Sequence, residues 1–66
     1  MKILINDKEM QFSGNTLFDL LIEHDFSNSS GIAIAVNGTV ISRNNWKSCI
    51  LKEGDSVLVI IPAQGG

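Results

Sequence analysis

Few side chains in this 66-residue sequence are suited to chemistry, and the most telling feature is the pair that closes it, Gly65-Gly66. A diglycine carboxylate carries no side-chain bulk, so it can be threaded through a narrow channel into another protein's active site. An α-carboxyl group ionises at about 3.3–3.7, which makes the Gly66 carboxylate an anion at neutral pH and a poor electrophile. It becomes an acyl donor only if something outside the chain activates it. Gly66 thus ends the chain in a slim carboxylate, with Gly65 and Gln64 as the residues expected to thread behind it.

The remaining candidates offer no catalytic set. His24 is the single histidine and falls near a helix end, where a solvated or dipole-stabilised imidazole is expected in preference to a base. Cys49 stands alone between Ser48 and Ile50-Leu51 and reads as a small structural side chain; incidental trapping by an activated tail is its lesser reading. Trp46 reads as a packing anchor, Arg43 as half of a surface ion pair, and Glu53 and Asp55 as turn residues with a minor steering role. There is no phosphate-binding glycine motif and no cysteine pair with metal spacing, so neither catalytic nor metal-binding residues are expected.

Bulk properties point the same way. A chain this short buries only about 60% of its unfolded surface, which leaves little room for a deep catalytic cleft. Hydrophobic residues make up 44%, enough for a globular fold. The net charge of −2 and the scattered cations Lys2, Lys8, Arg43, Lys47 and Lys52 argue against nucleic acid. The longest uncharged apolar run, Val57–Ile61, is far too short to cross a membrane, and a lone cysteine rules out an intrachain disulfide. The cytoplasm is the expected compartment.

Hydrophobic spacing sets the elements that must present the tail. Met1–Asn6 is an apolar, β-branched first strand, a polar turn covers Asn6–Glu9, and Met10–Phe12 returns to form a hairpin. Thr16 followed by Asp19 resembles a capping box, and Leu17, Leu20, Leu21 and His24 make one stripe of a helix running from Leu17 to about Asp25. Ser27–Gly31 is a polar loop. Ile32–Val36 is a strand whose alanines allow close approach, Asn37-Gly38 is a hairpin turn, and Thr39–Ile41 is the return strand. A helical turn is expected near Arg43–Trp46, a turn at Glu53-Gly54-Asp55, and a final strand over Ser56–Ile61.

Hairpin, helix, hairpin and final strand make one α+β domain over residues 1–66, in ββαββ order, with one helix packed on one face of a mixed sheet. The last strand is apolar throughout and belongs in the middle of the sheet. By parity Val57, Val59 and Ile61 share the helix side, which leaves Leu58 and Ile60 on the open face beside Leu4. An apolar patch of that kind predicts protein docking. Pro62 ends the strand, and the five residues 62–66 form a flexible tail that reaches roughly 16 Å when extended at about 3.3 Å per residue.

Taken in order, these residues resemble the ubiquitin-like β-grasp sulfur carriers, and among them most closely the carriers of thiamine biosynthesis. The likeness spans the whole chain: the Met1–Asp7 strand, Val36-Asn37-Gly38 with Val40, Arg43 followed by Trp46, Glu53-Gly54-Asp55, and Gly65-Gly66. Ser42 stands where the family often has proline, and Pro62 resembles the tail of the small subunit of molybdopterin synthase. The resemblance implies a β-grasp fold and a protein that is acted upon. An adenylating enzyme of the ubiquitin-activating kind would spend ATP on the Gly66 carboxylate. A sulfur donor protein would turn the acyl-adenylate into a thiocarboxylate, and thiazole synthase would take that sulfur for the thiazole ring. No cofactor bound to the chain itself is implied.

Three other readings share these features. The same tail chemistry could serve molybdopterin or another sulfur pathway, Gly66 could join lysines on target proteins as a ubiquitin-like modifier does, or the tail could be inert on a β-grasp interaction module.

Overall fold

The computed structural model describes residues 1–24, 26 and 31–61. Strands β1 (Lys2–Ile5) and β2 (Lys8–Gln11) are followed by helix α1 (Leu17–Glu23). Strands β3 (Ala33–Val36) and β4 (Thr39–Ile41), a 3₁₀ turn over Arg43–Asn45, and strand β5 (Ser56–Ile60) complete the order. The sheet runs β2-β1-β5-β3-β4, so β5 is its centre. It is mixed: β1 pairs with β5 in parallel and the other three pairings are antiparallel. All five strands read from the sequence are present; the ββαββ shorthand counts only four of them. The α+β, β-grasp arrangement with one helix on one face stands.

Both hairpins turn on two residues at positive φ, as type I′ geometry requires. Asn37 (φ 50°) and Gly38 (φ 85°) make the second turn, where the sequence places it. The first is tighter than the four-residue turn read from the sequence. Only Asn6 (φ 50°) and Asp7 (φ 70°) lie in it, which moves β2 forward to Lys8 and leaves Phe12 just past its end. Asn and Asp tolerate the left-handed region because their short polar side chains bond locally.

Helix α1 begins with the reciprocal cap expected of Thr16 and Asp19. Thr16 Oγ1 accepts from the Asp19 N–H at 3.1 Å, and Asp19 Oδ2 accepts from the N–H groups of Thr16 (3.1 Å) and Asn15 (3.2 Å). Those two N–H groups, Thr16 first, hold the Asp19 carboxyl below its ordinary value. The helix ends at Glu23 with His24 as its cap; Asp25, which the sequence placed in the helix, lies outside the described residues.

The core lies between α1 and one face of the sheet. Leu17, Leu20 and Leu21 are fully buried against Ile3, Ile5, Ile34, Val57 and Val59, with Phe12, Ile32, Trp46 and Leu51 closing the ends. Burying one such side chain contributes about 1.5–3 kcal/mol, so this single layer dominates the stability of the domain. Ile61 is a correction: it lies beyond the end of β5 and is half exposed, so it does not join Val57 and Val59 on the helix side.

Candidate functional site

β5 is the last strand before residue 62, and its neighbours fix its register and the faces it shows. On the β1 side, Leu4 N–H donates to Asp55 O and Asn6 N–H to Val57 O, each at 2.9 Å. At Asn6 the main chain turns away into the hairpin. Its side-chain Oδ1 then accepts from the Val59 N–H at 2.8 Å, in the place the next ladder carbonyl would hold. On the β3 side, Ile60 pairs with Ala33 and Leu58 with Ala35.

This register fixes the open face. Val57 and Val59 point to the helix and are buried, while Leu58 and Ile60 are each 48% exposed on the other side. Leu4, half-buried, shares that side, because Ile3 and Ile5 face the core. Leu58, Ile60 and Leu4 thus stand where parity put them. The face also holds a residue that the sequence reading missed. Val40 pairs with Ala35 in β4, is 72% exposed, and extends the apolar strip to the sheet edge. The signal was local: a two-residue Asn37-Gly38 turn sets Val40 opposite Ala35, on the face away from Ile34. Of the two alanines paired with these side chains, Ala33 is exposed and Ala35 is buried.

Turns at the start of β5 hold it in place. Asn37 Oδ1 accepts from Ser56 N–H (2.9 Å), and Asn37 Nδ2 donates to Asp55 Oδ1 (3.0 Å). Asp55 Oδ2 also accepts from Lys52 N–H at 2.8 Å, and Glu53 Oε1 from Lys2 N–H at 3.0 Å. Glu53 and Asp55 therefore serve the backbone as turn residues. Trp46 is an anchor, 4% exposed, with its Nε1 donating to Ile41 O at 3.0 Å. Arg43 departs from the surface ion pair expected of it. Its guanidinium stands 4.9 Å over the Trp46 ring and has no carboxylate partner among the described residues.

Burial pushes the Cys49 thiol up, the Asp55 carboxylate adds to the shift, and the thiol stays protonated at neutral pH. His24 Nε2 lies 3.6 Å from Glu23 Oε2 and has no hydrogen-bond partner among the described residues. No group of three or more His, Cys, Asp or Glu side chains that could hold a metal occurs among the described residues, and no helix there is long and apolar enough to cross a membrane. Gln64, Gly65 and Gly66, the expected threading and modification residues, and Pro62 lie outside the described residues.

Residues 3–66 match the ThiS family. The chain belongs to that family. The sulfur carrier protein ThiS of Escherichia coli (strain K12) is 36% identical over 67 residues, which cover 100% of both chains. Among solved structures, the crystal structure of the thiamine biosynthesis protein ThiS from Geobacter metallireducens superposes with a TM-score of 0.84 at 23% identity, covering 100% of both chains. The solution structure of a thiamine biosynthesis protein from the same organism gives a TM-score of 0.80 at 23% identity, over 100% of this chain and 88% of the other. At that identity the two structures speak for the fold, and family membership rests on the end-to-end sequence match.

Proposed function

We propose that this protein is a sulfur carrier of thiamine biosynthesis, a protein co-substrate and not an enzyme. In this reading a partner adenylating enzyme brings ATP to the tail. A Gly66 carboxylate oxygen attacks the α-phosphorus, pyrophosphate leaves, and the carboxyl carbon becomes an acyl-adenylate. Hydrosulfide delivered by a sulfur donor protein then displaces AMP: its sulfur bonds to the carboxyl carbon, the C–O bond to AMP breaks, its proton goes to solvent, and one carboxylate oxygen departs with AMP. Thiazole synthase receives the sulfur from this thiocarboxylate for the thiazole ring.

The observation that carries the reading is the full-length match to a sulfur carrier protein, which runs through the terminal diglycine. The fold supports it physically. The strand that leads to the tail is the central one, pinned on both sides, and next to it lies an apolar strip of Leu58, Ile60 and Val40 with Leu4. We assign that strip to docking of the adenylating enzyme and the synthase, with Gln64 and Gly65 threading Gly66 into each active site.

A deletion strain tests the pathway. Loss of the gene should create a requirement for the thiazole moiety of thiamine, which the full chain relieves and a chain ending at Gly65 does not. Growth restored by the truncated chain would overturn the reading. Loss of molybdoenzyme activity with thiamine synthesis intact would move the carrier to molybdopterin, and isopeptide adducts on cellular lysines would make it a modifier.

A further inference from the structure

The segment after β4 folds against the first turn of α1 and leaves a cavity of about 340 Å³ lined by Phe18, Arg43, Asn44, Trp46 and Lys47. Each of its two cations stands over a ring. Arg43 lies 4.9 Å from the Trp46 centroid, and Lys47 Nζ lies 4.9 Å from that of Phe18. Lys2, by contrast, is engaged by Glu9 at 3.8 Å, whereas neither Arg43 nor Lys47 pairs with a carboxylate among the described residues. On a chain of net charge −2, this is a local reversal of sign.

The walls of the cavity are fixed by bonds that the helix start needs in any case. The first N–H groups of a helix have no intrahelical acceptor. Here Leu17 N–H donates to Cys49 O at 2.8 Å and Phe18 N–H to Trp46 O at 3.1 Å. Leu51 N–H adds a bond to Asn15 O at 2.8 Å, and the Trp46 indole is tied to Ile41 O. The rings under both cations are therefore held by the backbone, which lowers the ordering cost of a ligand that meets the charges. A guanidinium that sits over a ring with no carboxylate partner keeps N–H donors available for a carboxylate.

The chemistry of the lining selects the occupant. Trp46 is 4% exposed and covered by Arg43, so it offers no open ring for a base to stack on. Arg43, Asn44 and Lys47 are all exposed, so the cavity is read from its rim by charge and does not enclose a small molecule. We propose that this cavity is a docking site for an acidic segment of a protein partner, in which Arg43 takes one Asp or Glu carboxylate and Lys47 a second. The site includes Phe18 of α1, so it lies on the helix side of the sheet, away from Leu58 and Ile60. It would give the carrier a charged contact that sets orientation, separate from the apolar one.

Trp46 is the only tryptophan, so its emission reports on the site. The test is titration of the full chain with a synthetic peptide bearing an Asp-Glu-Asp-Glu core, followed by Trp46 emission and by NMR of the Arg43 Nε–H and Trp46 Nε1–H signals. The expected result is a saturable, salt-sensitive response confined to this segment, weakened at least about 10-fold, equivalent to roughly 1.4 kcal/mol, in both Arg43→Gln and Lys47→Gln. Thermal unfolding of both variants checks that they fold, and the signal map of the unaltered chain decides the matter if they do not. An equal response to inorganic phosphate, a response spread over Lys8 and Lys52, or one unchanged in both variants would each overturn the proposal. Charging of the tail is scored separately, so its failure would count against the carrier function and leave the peptide result standing.

Discussion

Asn6 Oδ1 accepts the Val59 N–H at 2.8 Å, so a turn residue of the first hairpin completes the ladder of the strand that leads to the tail. Both side chain and main chain of Asn6 serve β5, the latter through its bond to Val57 O. Asn6→Ala leaves the Val59 N–H, which is partly buried, without an acceptor and places alanine at φ 50°. The expected cost is about 1–3 kcal/mol in chemical denaturation. Asn6→Asp keeps both the acceptor and the tolerance for positive φ, so it should recover most of that loss. Equal destabilisation by the two substitutions would show that the bond contributes nothing.

Gly14 offers a test of packing. A Cβ at this position would sit 2.7 Å from Asp19 Cβ and 2.8 Å from Phe12 Cζ. Phe12 is buried and Asp19 is held by its cap, so neither yields cheaply. Gly14→Ala should cost about 1–3 kcal/mol by overpacking and should loosen the start of α1. An unchanged denaturation midpoint would mean that the Phe12 ring can move aside.

The helix cap predicts a pH signature. The Asp19 carboxyl is held below its ordinary value of 3.8 by N–H groups of the folded state. Its contribution to stability is therefore fully present above that value and is lost as pH falls below it. The stability gap between the parent and Asp19→Asn should be constant near neutrality and should close as pH drops below the ordinary value. Thr16→Ala removes the other half of the cap and should cost about 0.5–2 kcal/mol at neutral pH. A parent-to-Asn gap that widens in acid would contradict the assignment.

The open face separates docking from folding. Leu58 and Ile60 are each 48% exposed and Val40 is 72% exposed, so aspartate at any of them should cost about 0.5–2 kcal/mol through lost partial burial and strand propensity and leave the domain folded. Charging by the adenylating enzyme should nevertheless fall at least about 10-fold in kcat/KM for Leu58→Asp and Ile60→Asp. Val57→Asp, one residue away and 1% exposed, should abolish folding. Normal charging of the Leu58 and Ile60 variants would move docking elsewhere.

How far the sequence could be read depended on the range of the interaction. The Asn37-Gly38 turn, the Thr16–Asp19 cap and the Leu17, Leu20, Leu21 stripe are local, and all three stand in the structure. The central place of β5 and the exposure of Leu58 and Ile60 followed from the uniform apolar run and its parity. The Asn6-Asp7 turn was read two residues too long because neither residue is glycine, yet both adopt positive φ. Val40 joins the open face through its pairing with Ala35, which the two-residue Asn37-Gly38 turn sets, and Arg43 meets Trp46 because the 3₁₀ turn brings guanidinium and indole together. Ile61 followed parity on paper, but the strand stops one residue before it. The register of β5 against β1 and β3 is decided by contacts between distant segments, and no local pattern encodes it.

The central claim is that the Gly66 carboxyl carbon is the reacting atom. Intact mass spectrometry of the protein incubated with its adenylating enzyme, ATP and a sulfur source tests this most directly. Replacement of one oxygen by sulfur, located to Gly66 by fragmentation and absent from the chain ending at Gly65, is the predicted result. An unchanged mass alongside a demonstrably active enzyme would contradict the account.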